Sequence, residues 1–197
     1  MKVMNIMTNI DKQKEHFKNH VATLTDYGNI KILDFANPES SHYRIRFMFE
    51  EDHCKLHISG DLGELVATNY KNMCYDSFTD FVHDTGYFEG KVDCHNRPFY
   101  EYDYDKAKQE LQDRFEDYEV TSEYDWKTDE EYREEKIEEI LDDLNSRTGL
   151  GSKAYEILSE IDGDCWEYIS NIGKVETGIL DLYMLAFELA QEQLASK

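Results

Sequence analysis

The sequence has few of the residues that interrupt regular structure. It contains only two proline and ten glycine residues in 197, which leaves little room for long unstructured linkers. Hydrophobic residues make up 40% and aromatic residues 13% of the chain, so its high charge does not predict disorder. A chain of this length can form one domain with a core, or two small subdomains.

Basic residues are scarce relative to acidic ones. The chain has 21 Lys and Arg against 43 Asp and Glu, a net charge of −22. This balance argues against direct binding to nucleic acid or to an anionic membrane, and it favours a basic protein surface as the partner.

Long hydrophobic runs and a secretory signal are also absent from the sequence. No segment approaches eighteen apolar residues without charge, and Met1 to Ile10 has no charged region followed by an apolar run and a cleavage site. We therefore expect a cytoplasmic protein. Its cysteines, Cys54, Cys74, Cys94 and Cys165, are well separated and are expected to be reduced thiols.

Catalytic motifs are missing as well. The chain has no nucleophile elbow, HExxH pair or kinase signature, and the turn from Gly60 to Glu64 lacks the lysine and spacing of a phosphate loop. These absences favour a binding protein over an enzyme.

The N-terminal part predicts an antiparallel sheet with helices. Asp11 is placed to cap a helix from Lys12 to about Leu24, with Phe17 and Val21 among its inward residues. Alternating apolar residues then predict three to four strands, and the segment from 86 to 98 is expected to be irregular. The predicted strands cover 29–35, 42–50, 53–59 and, as a fourth candidate, 65–70. Arg44, Arg46, Lys55 and the histidines make the outer face of this sheet locally basic, so it could dock the acidic helix internally or touch a partner.

The C-terminal half is expected to be helical, which makes the fold class α+β. Helical spacing predicts helices over 105–118, 128–145, 153–161 and 175–194. We expect an α+β subdomain over 1–98 and an acidic helical subdomain over 99–197, packed on it as one compact domain. The last helix is apolar almost all round in its middle, so it must be covered, either in the core or at a dimer interface. Both a monomer and a homodimer remain open.

The most acidic stretch runs from Glu101 to Ser146, with nineteen Asp or Glu against six Lys or Arg. Thr128 and Glu131 form the pattern of a capping box, which starts a helix. On that helix seven carboxylates share one broad face over about 18 Å, roughly one per 2.6 Å of axis; duplex DNA presents roughly one charge per 1.7 Å. They are Glu131, Glu134, Glu135, Glu138, Glu139, Asp142 and Asp143. This face either is a solvated surface that keeps the protein soluble or imitates nucleic acid.

Tyrosines alternate with carboxylates just before this helix, and Tyr102 and Tyr104 are candidate partner-binding residues. As a strand, Phe99 to Asp105 would place the aromatic rings on one face and the carboxylates on the other. Such a face can pack on a core, or its tyrosines can stack on the arginines of a basic groove.

A structural zinc ion is the sharpest chemical possibility. Cys74, His83, Cys94 and His95 supply suitable ligand atoms in a region with little predicted regular structure. The alternative is that these residues are buried thiols and surface histidines, in which case no cofactor is required.

Four features of the chain resemble those of a known group of proteins. They are its small size, its acidity, its lack of catalytic motifs and the segment from Ile45 to Tyr70. This segment reads IRFMFEEDHCKLHISGDLGELVATNY. In these features the chain resembles small proteins of phages and prophages of Gram-positive bacteria, and among them anti-CRISPR proteins that inhibit type II CRISPR effector nucleases. Anti-CRISPR proteins share no common fold or catalytic motif, so no functional residue is carried over. The resemblance implies an inhibitor whose carboxylates occupy a basic channel for guide heteroduplex or target DNA.

Overall fold

The computed structural model describes residues 12–118 and 120–196, and the chain divides into two compact units. The sheet unit comprises Met1–Arg97 and Gly178–Lys197, and the helical unit comprises Pro98–Thr177. The last helix of the chain therefore belongs to the sheet unit. Asp11, the predicted helix cap, lies outside the described residues.

The sheet unit contains a six-stranded antiparallel sheet in which every strand pairs with the strand before it in the chain. The strands are β1 (Val21–Asp26), β2 (Ile30–Asn37), β3 (Ser40–Glu50), β4 (Lys55–Gly60), β5 (Leu65–Thr68) and β6 (Val92–His95). The strands predicted from apolar alternation correspond to β2 to β5. The prediction of only three to four strands is wrong, because both edge strands, β1 and β6, went unrecognised.

Strand β1 was predicted to be the second half of a helix. The chain is helical over residues 12–17 (α1), and β1 then pairs with β2 along its whole length, from Val21 opposite Ala36 to Asp26 opposite Lys31. Three of the six residues of β1 are β-branched, and such residues favour strands over helices. Their preference prevails over the helical spacing of Phe17, Val21 and Leu24.

Strand β6 lacks the apolar alternation that reveals a strand. Only Val92 is partly buried, and Asp93, Cys94 and His95 are exposed. It pairs with β5 through a register shift between Val66 and Ala67. A short edge strand without a buried face gives no periodic signal in the sequence.

The core of the sheet unit lies on one face of the sheet and is rich in aromatic rings. Helix α6 (Ile179–Ala195) contributes Phe187, whose ring centroid lies 4.8 Å from that of Phe78 and 5.5 Å from that of Phe47. Its centroid lies 6.1 Å from those of Phe49 and Tyr75. These separations are within the range of favourable aromatic pairs. The middle of α6, which the sequence required to be covered, is buried.

Short helical segments complete the sheet unit between β5 and β6. Two 3-10 helices, Lys71–Met73 and Tyr75–Phe81, precede α2 (Thr85–Glu89). Phe78, Phe81 and Phe88 from this region are fully buried. Across residues 12–118 and 120–196, no helix combines the length and apolar character needed to cross a membrane.

The helical unit is built from three helices with small two-stranded pairings. Its elements are β7 (Tyr100–Tyr102), α3 (Tyr104–Asp117), α4 (Asp129–Leu141), β8 (Leu144–Asn145), β9 (Gly149–Leu150), α5 (Ser152–Ile161) and β10 (Lys174–Glu176), with short 3-10 helices at Cys165–Glu167 and Ile169–Asn171 between α5 and β10. Strand β7 pairs with β10, and β8 pairs with β9. The buried side chains of the three helices form one core, to which they contribute Ala107, Leu111, Phe115, Ile137, Ile140, Leu141, Ala154 and Leu158.

Candidate acidic interaction surface

Negative charge is concentrated in the helical unit. Its sequence has 25 Asp and Glu against nine Lys and Arg, a net charge of −16, whereas the sheet unit has 18 against twelve, a net of −6. Any interaction that depends on charge is therefore expected to use the helical unit.

Helix α4 presents the predicted carboxylates but is shorter than expected. The capping box is present: Glu131 N–H donates to Thr128 Oγ1 at 3.2 Å, and Thr128 N–H donates to Glu131 Oε2 at 3.0 Å. The bond from Thr128 N–H, together with one of 3.0 Å from the Thr128 hydroxyl to the same oxygen, lowers the pKa of Glu131. The helix ends at Leu141, and Asp142 follows as its C-cap residue in helical conformation, whereas Asp143 lies beyond the cap.

Lys108, on the neighbouring helix α3, is paired with two of the predicted carboxylates. Its ammonium lies 2.9 Å from Glu134 Oε1 and 2.5 Å from Glu138 Oε1. These contacts raise the pKa of Lys108 and lower that of Glu138. Sequence analysis did not predict this contact, because the residues lie 26 and 30 positions apart.

Two further carboxylates of α4 also have cationic neighbours. Glu135 pairs with Lys127. Glu139 lies 3.1 Å from the ammonium of Lys136 and 3.9 Å from that of Lys153. The acidic face is therefore partly neutralised within the helical unit, whose remaining excess of carboxylates gives it its charge.

The last two predicted carboxylates have different environments. Asp143 Oδ2 accepts a hydrogen bond of 3.0 Å from Ala154 N–H and so satisfies an unpaired amide in the first turn of α5. The residue before α5 is Gly151, which makes no side-chain capping bond, and the side chain of Asp143 supplies the bond instead. Asp142 is exposed at the end of α4.

An open groove of about 860 Å³ runs along the first three turns of α4, with Trp126 at one end. The Trp126 side chain is 78% exposed, and the groove is also lined by Lys127 and Thr128. Five carboxylates complete the lining: Glu130, Glu131, Glu134, Glu135 and Glu138.

Aromatic rings cluster beside this groove. The Tyr124 centroid lies 5.5 Å from the Trp126 ring and 6.4 Å from the Tyr132 ring. The ammonium of Lys127 lies 5.9 Å from the Trp126 centroid and 5.8 Å from the Tyr132 centroid, within cation–π range. Sequence analysis missed Trp126 and Tyr124; the available signal was two large aromatic residues within a strongly acidic stretch.

The two predicted tyrosines occupy different places. Tyr104 is exposed and its hydroxyl donates to Glu138 Oε2 at 2.9 Å, so it belongs to the acidic surface. Tyr102 is half-buried, and its hydroxyl donates to the carbonyl oxygen of Ser170 at 3.2 Å. Its ring packs on Gly149 (φ +77°), where an added Cβ would lie 2.7 Å from the ring. The structure therefore gives Tyr102 a packing role.

The four predicted zinc ligands are not gathered into one site. Cys94 and His95 are adjacent on β6, so they point to opposite faces. His95 Nδ1 lies 2.6 Å from the carbonyl oxygen of Arg97, Cys74 precedes a 3-10 helix, and His83 follows it. Among the described residues, no group of three or more His, Cys, Asp or Glu side chains is arranged to hold a metal ion.

The outer face of the sheet, expected to be basic, carries internal ion pairs. Arg46 makes two hydrogen bonds to the Asp34 carboxylate, at 2.7 and 3.0 Å. His57 Nε2 lies 2.9 Å from Glu50 Oε1. These carboxylates reduce the positive potential around Arg46 and His57.

Comparison with known proteins identifies no relative of this chain: no protein-family model, curated protein or solved structure matches it.

Proposed function

We propose that the helical unit binds a basic, nucleic-acid-binding surface of another protein and thereby competes with the nucleic acid. The observation that carries this proposal is the groove along α4, which combines five carboxylates with an exposed indole ring. A net charge of −16 on the helical unit supplies long-range attraction to a basic surface.

The chemistry of the groove suits arginine side chains. A guanidinium can donate two parallel hydrogen bonds to the oxygens of one carboxylate and can also stack on an indole ring. Glu130 and Trp126 offer both kinds of group in the lining of the groove. Lys127 already places its ammonium near Trp126 and Tyr132, which supports the view that these rings accommodate a cation.

The proposed target is a CRISPR effector nuclease, acted on in the cytoplasm of the host cell. This choice rests on the resemblance to anti-CRISPR proteins, and the acidic groove supports it chemically. Such a nuclease holds its guide–target heteroduplex in a positively charged channel. Carboxylates bound in that channel would block DNA loading, and the chain itself would bind no nucleic acid.

The test is DNA loading by a purified, guide-loaded type II effector nuclease, followed by gel shift of a target duplex. We expect the chain to prevent the shift when added before DNA, and to leave the mobility of DNA alone unchanged. The effect should weaken as salt is raised, because the contacts are electrostatic. Normal DNA loading at saturating amounts of the chain would refute the proposed target.

Two matched variants test whether inhibition depends on the groove or only on the net negative charge of the helical unit. Trp126→Ala/Glu130→Lys changes the groove, whereas Trp166→Ala/Glu167→Lys makes the same chemical change at another exposed Trp–Glu pair of the helical unit. Only the first variant is expected to lose inhibition. Equal loss in both would point to net charge as the sole determinant and would count against the groove.

A second candidate function is an acidic structural or accessory interaction protein without nucleic-acid mimicry. The pairing of Glu134, Glu135 and Glu139 with lysines of the same unit favours it, because those carboxylates then stabilise the fold. In that case both double variants would still bind the partner, and a higher salt concentration would change this binding little.

A further inference from the structure

Two half-buried cysteines, Cys54 and Cys74, meet at the turn between β3 and β4. Cys54 Sγ lies 3.8 Å from the carbonyl oxygen of Glu51, and Cys74 Sγ lies 3.7 Å from the same oxygen. Both sulfur atoms therefore lie beside one carbonyl oxygen. Twenty positions separate these residues in the chain, and both thiols are free.

Backbone contacts on both sides hold the two cysteines in place. Asn69 N–H donates to the carbonyl oxygen of Cys54 at 3.1 Å. Tyr75 N–H, next to Cys74, donates to Glu51 Oε1 at 3.2 Å. The segment that carries Cys74 is thus attached to the turn that carries Cys54, and both sulfur atoms are held beside the same Glu51 carbonyl oxygen.

The conformation of Cys54 is unusual and contributes to this arrangement. Cys54 has a φ of +49°, and only one other non-glycine residue of the described chain, Tyr43, has a positive φ. Residues other than glycine rarely adopt this region. Here the conformation accompanies a bond of 3.4 Å from Cys54 N–H to the same Glu51 carbonyl that both thiols approach.

We propose that Cys54 and Cys74 form a dithiol site that a small disulfide, of the class of oxidised glutathione, converts to an intramolecular disulfide. One protein thiolate attacks the small disulfide, forms a mixed disulfide and releases one small thiolate, which takes up a proton. The thiolate of the second cysteine then attacks the protein sulfur of the mixed disulfide. This step forms the Cys54–Cys74 bond and releases the second small thiol, so two protein thiols are oxidised and one disulfide is reduced.

The resting form of the pair is the dithiol. Burial is the main cause that raises the pKa of Cys74, so this thiol stays protonated at neutral pH. The new bond would close a loop that contains β4 and β5, and closing such a loop restricts the unfolded chain.

The other two cysteines provide internal controls. Cys94 is exposed and Cys165 is buried in the helical unit. An unselective oxidant is expected to modify Cys94 first, whereas Cys165 is protected by burial. The Cys94→Ser variant removes this competing reaction without touching the proposed pair.

The experiment treats the full chain and the Cys94→Ser variant with oxidised glutathione, followed by proteolysis and mass spectrometry without reduction. We expect a linked peptide pair containing Cys54 and Cys74, an intact mass lower by two hydrogen atoms in Cys94→Ser, and reversal by dithiothreitol. Glutathione adducts on Cys54 or Cys74 without the linked pair would overturn the proposal. Links that involve only Cys94 would overturn it equally.

A thermal measurement provides an independent readout on the same samples. Oxidised Cys94→Ser is expected to melt roughly 4 to 8 °C higher than its reduced form, because the bond restricts the unfolded chain. Cys54→Ser/Cys94→Ser should show no such difference. An unchanged melting temperature on formation of the linked pair would refute the expected stabilisation.

Discussion

The sheet unit and the helical unit differ in the composition of their cores and in their net charge. In the sheet unit, the Phe187 ring lies against Phe47, Phe49 and Phe78, and the net charge is only −6. The helical unit has a core dominated by aliphatic side chains and carries a net charge of −16. An α-helix satisfies its own backbone hydrogen bonds, so its outer face is free to carry charge. In a sheet that packs on a core, alternate residues of each strand point into that core, so these positions do not carry charge.

The largest expected effect is on the aromatic core of the sheet unit. Phe187→Ala removes a ring that contacts four others, and we expect the free energy of unfolding to fall by about 3–5 kcal/mol. Urea denaturation followed by circular dichroism measures this change.

Tyr70→Ala is the matched control, because the Tyr70 side chain is 84% exposed. Its effect should stay within about 0.5 kcal/mol. If the free energy of unfolding fell as little in Phe187→Ala as in Tyr70→Ala, the aromatic cluster would not stabilise the sheet unit.

The two units should also respond to acid in different pH ranges. Burial lowers the pKa of His20 in the sheet unit from its ordinary value of 6.5, so the unfolded chain takes up the proton first. The free energy of unfolding is therefore expected to decrease as the pH falls below about 6.5. His20→Gln should reduce this loss, as measured by urea midpoints between about pH 7 and pH 5.5.

The carboxylates discussed for the helical unit take up protons at a lower pH than the range that concerns His20. A hydrogen bond from Lys108 lowers the pKa of Glu138, and one from Lys136 lowers that of Glu139, from an ordinary value of 4.5. Their contribution is present above about 4.5 and is lost as the pH falls through the lowered values. Urea midpoints that stay constant from pH 5 down to about pH 3 would contradict this account.

These contacts mark the limits of what the sequence could predict. The capping box of Thr128 and Glu131 and the strands β2 to β5 were predictable, because they depend on neighbouring residues or on simple alternation. Strands β1 and β6 were not, because edge strands have little apolar alternation. The two bonds from Lys108 to α4, and the approach of Cys54 and Cys74 to one carbonyl oxygen, depend on chain reversals that no local pattern encodes.

A smaller effect is expected when the neutralising lysine is removed. Lys108→Gln frees Glu134 and Glu138 for an external cation, so affinity for a basic partner should rise by about two- to fivefold, the range of a surface ion pair. Lys18→Gln makes the same charge change in the sheet unit, where Lys18 pairs with Glu15. An equal rise in both variants would assign the effect to net charge alone.

The most direct test of the acidic groove is the equilibrium affinity of the chain for guide-loaded effector nuclease, measured at about 50 and 200 mM salt. We expect binding that weakens at least tenfold over this range, a further loss of at least tenfold in Trp126→Ala/Glu130→Lys, and no loss in Trp166→Ala/Glu167→Lys. Binding that is insensitive to salt, or equally affected in both variants, would contradict recognition through the groove.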